Sequence, residues 1–283
     1  MNDRGSAIAV TCATGRLGGQ VARMLDAAGV RFRLLARRPG SFLVPRLPGV
    51  EAVLPGDYAE PQPESLRGVR ILFMISAWQS ADRVNQHERF IDAALAAGVE
   101  HIVYTSFVHA APSATYTLSR QHFATEQYLR HKDVAWTFLR DNLFLDILEE
   151  WVGSDGVIRG PAEGGRIAAV SRTDVAEVAT RILRDPAPHA QNSYDLTGPQ
   201  ALTLFDVAEQ IATVRGIPVR YVKETEQEAF ASRARFRIPD WQREAWVSTY
   251  RAIAGGDLAA ISDCVPRLTG HRARTLADVL ARR

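Results

Sequence analysis

A doubly wound α/β fold, built on a parallel sheet and completed by a smaller, mostly helical C-terminal lobe, is what this 283-residue chain predicts. Three observations carry that prediction. Apolar runs of strand length alternate with amphipathic helical stretches through the first two thirds, as a parallel sheet with helical crossovers requires. The first apolar run leads straight into a small-residue turn, Thr11-Cys12-Ala13-Thr14-Gly15-Arg16-Leu17-Gly18, with a helix behind it. After Gly198 the helical period takes over.

The pattern places strands at 7–11, 31–36, 51–55, 71–76, 101–106 and 135–140, with one more at 193–197. Helices are expected between them, at 18–28, at 85–97 closing on Gly98, and at 173–184. The C-terminal lobe reads as helices at 203–215, 226–234, 240–254 and 275–281, interrupted by one strand at 219–223. The expected division is a Rossmann-like nucleotide-binding domain over 1–197 and a substrate lobe over 198–283, with the loop 141–165 lining the active site.

Composition narrows the classes. A formal charge of +2 is too small for a nucleic-acid binder, and no apolar run approaches the length of a membrane span. Two cysteines, Cys12 and Cys264, make no disulfide framework and lack metal-ligand spacing, so no metal is expected. The N-terminus reads as a first strand and not as a leader, which points to the cytoplasm. Lysine occurs only at Lys132 and Lys223, so any single arginine is weaker evidence than usual.

A strand, a glycine turn and a helix N-terminus together suit a pyrophosphate. Thr11 through Gly18 are therefore expected to hold a dinucleotide, although Cys12 stands where the first glycine of the usual spacing would be. Its thiol is expected to face the phosphates. No acidic residue occurs from 27 to 50, and Arg37 and Arg38 end the second strand. Forked donors at that place suit a 2′-phosphate, which selects NADPH. Asp57, with Tyr58 beside it, is expected to accept from the adenine amine or to cap the following segment. Ile75, Ser76, Ala77, Thr105 and Ser106 end the fourth and fifth strands and should flank the nicotinamide.

One Tyr-x-x-x-Lys match exists, Tyr128 to Lys132, but the helical rise carries it away from the carboxyl edge of the sheet. Ser106, Tyr116 and His122 are the better-placed catalytic candidates, with Arg120 available to lower the tyrosine's pKa and His122 available to shuttle a proton. His122 and His109 read equally well as polar helix-edge residues. Trp78, Phe107, His109 and Phe144 are the expected acceptor contacts.

The segments Thr11–Gly19, Gly56-Asp57-Tyr58, Ile71–Ser76, Tyr104-Thr105-Ser106 and Thr137–Arg140 occur in an order that resembles the atypical short-chain dehydrogenases of the NmrA-like group. His122–Glu126 and Leu268-Thr269-Gly270 extend the likeness over nearly the whole chain, toward the branch of type 2 NAD(P)H:quinone oxidoreductases and triphenylmethane reductases. The resemblance implies an NADPH-dependent reductase in which Asp141, Asn142, Leu143 and Phe144 wall the nicotinamide. Asp141 and Cys12 depart from the Asn and Gly more common there.

The expected function is hydride transfer to a quinone-like or other conjugated aromatic small molecule by a monomer or homodimer, without nucleic-acid or membrane partners. The alternative is a non-catalytic, NADP(H)-sensing regulator that binds a partner protein.

Overall fold

Short β-branched and aromatic runs pair in parallel, and amphipathic helices cover both faces of the sheet they form. The computed structural model describes residues 7–282; residues 1–6 and 283 of the two expected domains lie outside the described residues. In chain order the elements are β1 (Ile8–Val10), α1 (Arg16–Ala27), β2 (Phe32–Ala36), β3 (Val50–Pro55), β4 (Ile71–Met74), α2 (Arg83–Ala96), β5 (His101–Phe107), α3 (Thr117–Arg130), β6 (Ala135–Asp141), α4 (Leu145–Leu148), β7 (Val157–Gly160), β8 (Arg166–Ile167), α5 (Arg172–Arg184), β9 (Asn192–Leu196), β10 (Leu202–Thr203), α6 (Leu204–Arg215), β11 (Arg220–Lys223), α7 (Glu226–Arg233), α8 (Asp240–Ala254), α9 (Cys264–Thr269) and α10 (Leu276–Leu280).

The main sheet is parallel, with strand order β3-β2-β1-β4-β5-β6-β9. The order reverses between β1 and β4, and a crevice opens there at the carboxyl ends of the strands. This is the Rossmann-like fold that the pattern predicts. On one face, Val21 and Leu25 of α1 and Val175, Val178 and Ile182 of α5 pack over Phe32 and Leu34. On the other, Phe90, Ile91 and Leu129 pack over Leu72, Ile102 and Phe138.

Several boundaries differ from the sequence pattern. β4 stops at Met74, β5 continues to Phe107, and α3 opens at Thr117. Phe107 is thus a buried strand residue. The lobe holds more strands than expected. β11 pairs in parallel with β7, and β10 pairs antiparallel with β8. Its apolar core joins Leu143, Leu148, Ile158 and Ile167 to Leu204, Val207, Tyr250 and Ile253, so it draws on residues from both sides of position 197. α9, unannounced by its short Pro-containing sequence, returns Cys264 and Val265 to the α1–α5 face of the sheet. Among the described residues no helix is long and apolar enough to cross a membrane.

α1 sets how the crevice is walled. Leu17, Gly18, Val21, Ala22 and Leu25 form its buried stripe. A Cβ placed on Gly18 would stand 2.9 Å from Thr11 O and would overlap the Cys12 carbonyl, both backbone groups that cannot swing aside. Replacing Gly18 with Ala is expected to destabilise the chain by about 1–3 kcal/mol, the usual cost of overpacking. Urea unfolding of the two proteins would check this, and an unchanged midpoint would contradict the close packing.

Candidate active site

The turn after β1 is tight because Cys12 adopts a left-handed backbone, with φ +51°. For a non-glycine residue that conformation costs on the order of 1–2 kcal/mol. The Gly15 N–H closes the turn on the Cys12 carbonyl at 2.8 Å. The expectation that the thiol faces phosphates is corrected. Sγ turns under the loop, 3.8 Å from the Ile75 carbonyl, and burial pushes its pKa up.

α1 begins at this turn with no side-chain cap and no acid in its first turn. α2 and α3, whose N-termini reach the same edge, also lack a side-chain cap and a first-turn acid. By contrast α5, α6, α7 and α10 are capped by Ser171, Thr203, Thr225 and Thr275 and carry acids in the first turn. Asp82 stands at the N-cap of α2 and the Thr117 N–H of α3 donates to Ser248 Oγ at 3.2 Å, so it is the N-terminus of α1 that faces the crevice without a competing side chain, a setting that favours anions. Arg37 and Arg38 stand exposed beyond β2, and neither forms an ion pair with a described residue. A groove of about 500 Å³ runs beside the turn, lined by Ala13, Thr14, Gly15, Arg16, Ser171 and Thr173 among others. None of Trp78, Phe107, His109 or Phe144 lines it.

The edge of the sheet is held by side chains where strand pairing ends. Thr11 Oγ1 accepts from Ile75 N–H at 2.9 Å and donates to the Phe73 carbonyl at 3.1 Å. Thr105 Oγ1 accepts from Ser76 N–H at 2.8 Å, and His87 Nε2 accepts from Ala77 N–H at 2.9 Å. Tyr58 was expected to line the cofactor site. It is buried instead, ring against Phe90, and its hydroxyl donates to the Ile75 carbonyl at 2.6 Å. Asp57 Oδ1 accepts from Ala59 N–H at 2.9 Å in a local turn.

The catalytic candidates are tied inward. Ser106 Oγ donates to Glu126 at 2.6 Å, and Arg140 holds the same carboxylate through two bonds of 2.8 and 2.6 Å. Tyr116 meets Phe107 edge-on at 5.0 Å between ring centres, and burial pushes its pKa up to about 12. The charge that favours its ionised form is that of Arg83, while Arg120 Nε donates to the Ala114 carbonyl. His122 is buried, with Nε2 facing the Arg83 guanidinium at 2.9 Å and Nδ1 3.0 Å from the Tyr104 hydroxyl. Burial first, and Arg83 second, hold it well below the usual histidine range. It stays neutral near pH 7, which removes the expected proton shuttle.

The acceptor candidates are spread around the mouth. Trp78 is 81% exposed, just past β4. His109 has a left-handed backbone and lies 3.9 Å from Asp257. Phe144 lies under the Arg172 guanidinium, toward α5. Asn142 is buried and donates to the Leu258 carbonyl at 3.0 Å, while its Oδ1 accepts from Leu143 N–H. It fastens the lobe to the sheet edge. Tyr128 and Lys132 both bond Asp92, and Lys132 lines a hollow with Glu100 and Ala135 at the opposite edge of the sheet. Arg83, His87 and Glu126, which the sequence reading does not single out, bond the residues expected at the site: His122, Ala77 and Ser106. The signal for Arg83 and His87 is polarity on the buried face of α2, and Glu126 ends the His122–Glu126 segment that carries part of the resemblance.

Asp141 ends β6 beside Phe107, buried, with Oδ1 lacking a hydrogen-bond partner among the described residues. Burial pushes its pKa well up, against the pull of Arg172. A raised acid stabilises the fold fully below its unfolded value of about 3.9, and that stability is lost as pH rises toward the folded value. Asp141→Asn should therefore match the parent near pH 4 and exceed it at pH 8 by about 1–3 kcal/mol, the range for an unsatisfied buried polar group. Thermal melts across that pH range would check it; equal melting curves at both ends would contradict the assignment.

The chain is similar to known proteins over nearly its whole length. The NmrA-like family matches residues 4–264. The NAD(P)H azoreductase of Xenophilus azovorans is 31% identical over 276 residues, 96% of each chain. The NADPH complex of the NADPH-dependent quinone oxidoreductase of Escherichia coli superposes with a TM-score of 0.85 at 30% identity, covering 97% of this chain and 99% of that one. The Citrobacter sp. triphenylmethane reductase complexed with NADP(H) gives 0.83 at 30% identity, covering 97% of this chain and 99% of its own.

Proposed function

The chain belongs to the NmrA-like family, and we propose that it is an NADPH-dependent oxidoreductase that passes hydride to a quinone-like or other conjugated aromatic acceptor. The observation that carries this reading is the uncapped, acid-free N-terminus of α1 behind Gly15, with Arg37 and Arg38 uncommitted beyond β2. Those features fit a dinucleotide bearing a 2′-phosphate: backbone N–H groups of the turn for the pyrophosphate, the two arginines for the extra phosphate. When bound, NADPH supplies a hydride, two electrons and a proton, and leaves as NADP⁺. A quinone that accepts this hydride and one proton from solvent becomes a hydroquinone.

The protein's own groups are suited to positioning more than to proton transfer. Ser106 directs its proton to Glu126, Tyr116 is a weak acid, and His122 is neutral. Rate enhancement then rests on orientation of the acceptor and on exclusion of water. Trp78 and Phe107, at the ends of β4 and β5, are the proposed walls of the acceptor slot. The regulator alternative has less support, since relatives similar over the whole chain carry oxidoreductase names.

Steady-state loss of NADPH absorbance against a panel of quinones tests the reading. Measurable NADPH binding with no turnover of any acceptor would refute it. Replacing Arg37 and Arg38 together with Ala should raise the Kd for NADPH by about 30-fold or more, as for loss of charge-assisted phosphate contacts, and change that for NADH only slightly. Equal losses would contradict the 2′-phosphate role.

A further inference from the structure

We infer that Arg83, with Ser80, forms a subsite for acceptor oxygen that admits neutral or anionic quinone-like molecules and rejects cationic dyes. The inference rests on the oxidoreductase reading and narrows its substrate class.

Two buried side-chain atoms here that can donate to an oxygen, Ser80 Oγ and Arg83 Nε, have no hydrogen-bond partner among the described residues. Such atoms are uncommon in a folded chain, and a cluster of them marks a place completed by something else. Arg83 is only 4% exposed, and no carboxylate of a described residue lies within ion-pair distance of it. Its side-chain hydrogen-bond partners are neutral, His122 Nε2 at 2.9 Å and Gln121 Oε1 at 3.4 Å.

Its position adds to the cost. Arg83 is the first residue of α2, where the helix dipole disfavours a cation. The acids nearby are already engaged. Asp82 binds Arg89 and Asn85, and Glu126 binds Ser106, Arg130 and Arg140. His87 and His122 stay uncharged beside it. A buried cation that lacks a counter-ion becomes favourable when the occupied site brings one.

Arg83 also lies near enough to Tyr116 to favour that tyrosine's ionised form, so its field reaches the Phe107–Tyr116 wall. The exposed Trp78 precedes the same turn. A quinone develops negative charge on oxygen as it is reduced, and a sulfonated quinone carries negative charge from the start. Either is drawn to this site. A cationic triphenylmethane dye meets a buried like charge with no acid to offset it.

The test uses the full chain, with menadione, naphthoquinone sulfonate and a cationic triphenylmethane dye as acceptors. Binding of naphthoquinone sulfonate is also measured by calorimetry without nucleotide. Wild type should favour the sulfonate and turn over the dye poorly. Arg83→Met should lose about 30-fold or more in kcat/KM and in affinity for the sulfonate, as expected for a lost charge-assisted bond, and gain on the dye. Arg83→Lys should keep most of the sulfonate affinity. An NADPH-induced rise in Tm confirms that each variant is folded.

A uniform loss on all three acceptors, no change in the Met variant, or wild-type preference for the dye would overturn the subsite. If wild type turns over no acceptor, the oxidoreductase reading fails, and calorimetry alone decides the subsite. Sulfonate binding that depends on Arg83 then supports it, and absence of binding ends it.

Discussion

The approach of α1 to the end of β1 is the contact on which the rest of the crevice depends. Gly18 meets the Cys12 carbonyl with no room for a Cβ, and the left-handed backbone of Cys12 turns that carbonyl toward both Gly18 and Gly15. Loosening either would lift the helix from the sheet and move its free N–H groups. The same turn fixes the thiol over Ile75, where Thr11 and Tyr58 also converge. One irregular residue therefore couples the nucleotide turn to the end of the neighbouring strand. The cost of its backbone is modest, and the Gly15 N–H bond to its carbonyl helps to hold the turn.

Electrostatics at the crevice follow from what the sequence omits. Side-chain caps and first-turn acids occur in α5, α6, α7 and α10, and neither occurs at α1, α2 or α3. Capping stabilises a helix by about 1 kcal/mol, so its absence at the α1 N-terminus forgoes stability where an anion would gain from open donors. Arg37, Arg38 and Arg83 reinforce the same sign.

Much of the fold was legible because it is local. Strand–helix alternation, the glycine turn and the change of pattern after Gly198 each lie within short windows. Arg37 and Arg38 were legible because an acid-free stretch surrounds them. The lobe's small sheets were not legible, since β7 and β11 are four residues each and pair across some sixty positions. Arg83 was equally hidden. It contacts His122 from 39 positions away, and on α2 it reads as one more arginine among many. Cys12 was visible as a departure, but only the fold shows that its thiol turns inward.

The polar groups behind Phe107 form a scaffold in which each proton has a fixed destination. Given that His87 Nε2 accepts from Ala77 N–H, its Nδ1 carries the proton and donates to Thr125 Oγ1, which donates on to the Gln121 carbonyl. His122 Nε2 accepts from Arg83, so its Nδ1 donates to Tyr104. Ser106 donates to Glu126. Groups committed in this way hold backbone and neighbouring rings within narrow limits and are poor proton carriers, because giving up a proton breaks the bond that positions them. A reaction whose protein-side requirement is orientation, with the final proton drawn from water, is compatible with such a site. A reaction needing a strong general acid at the same place is not.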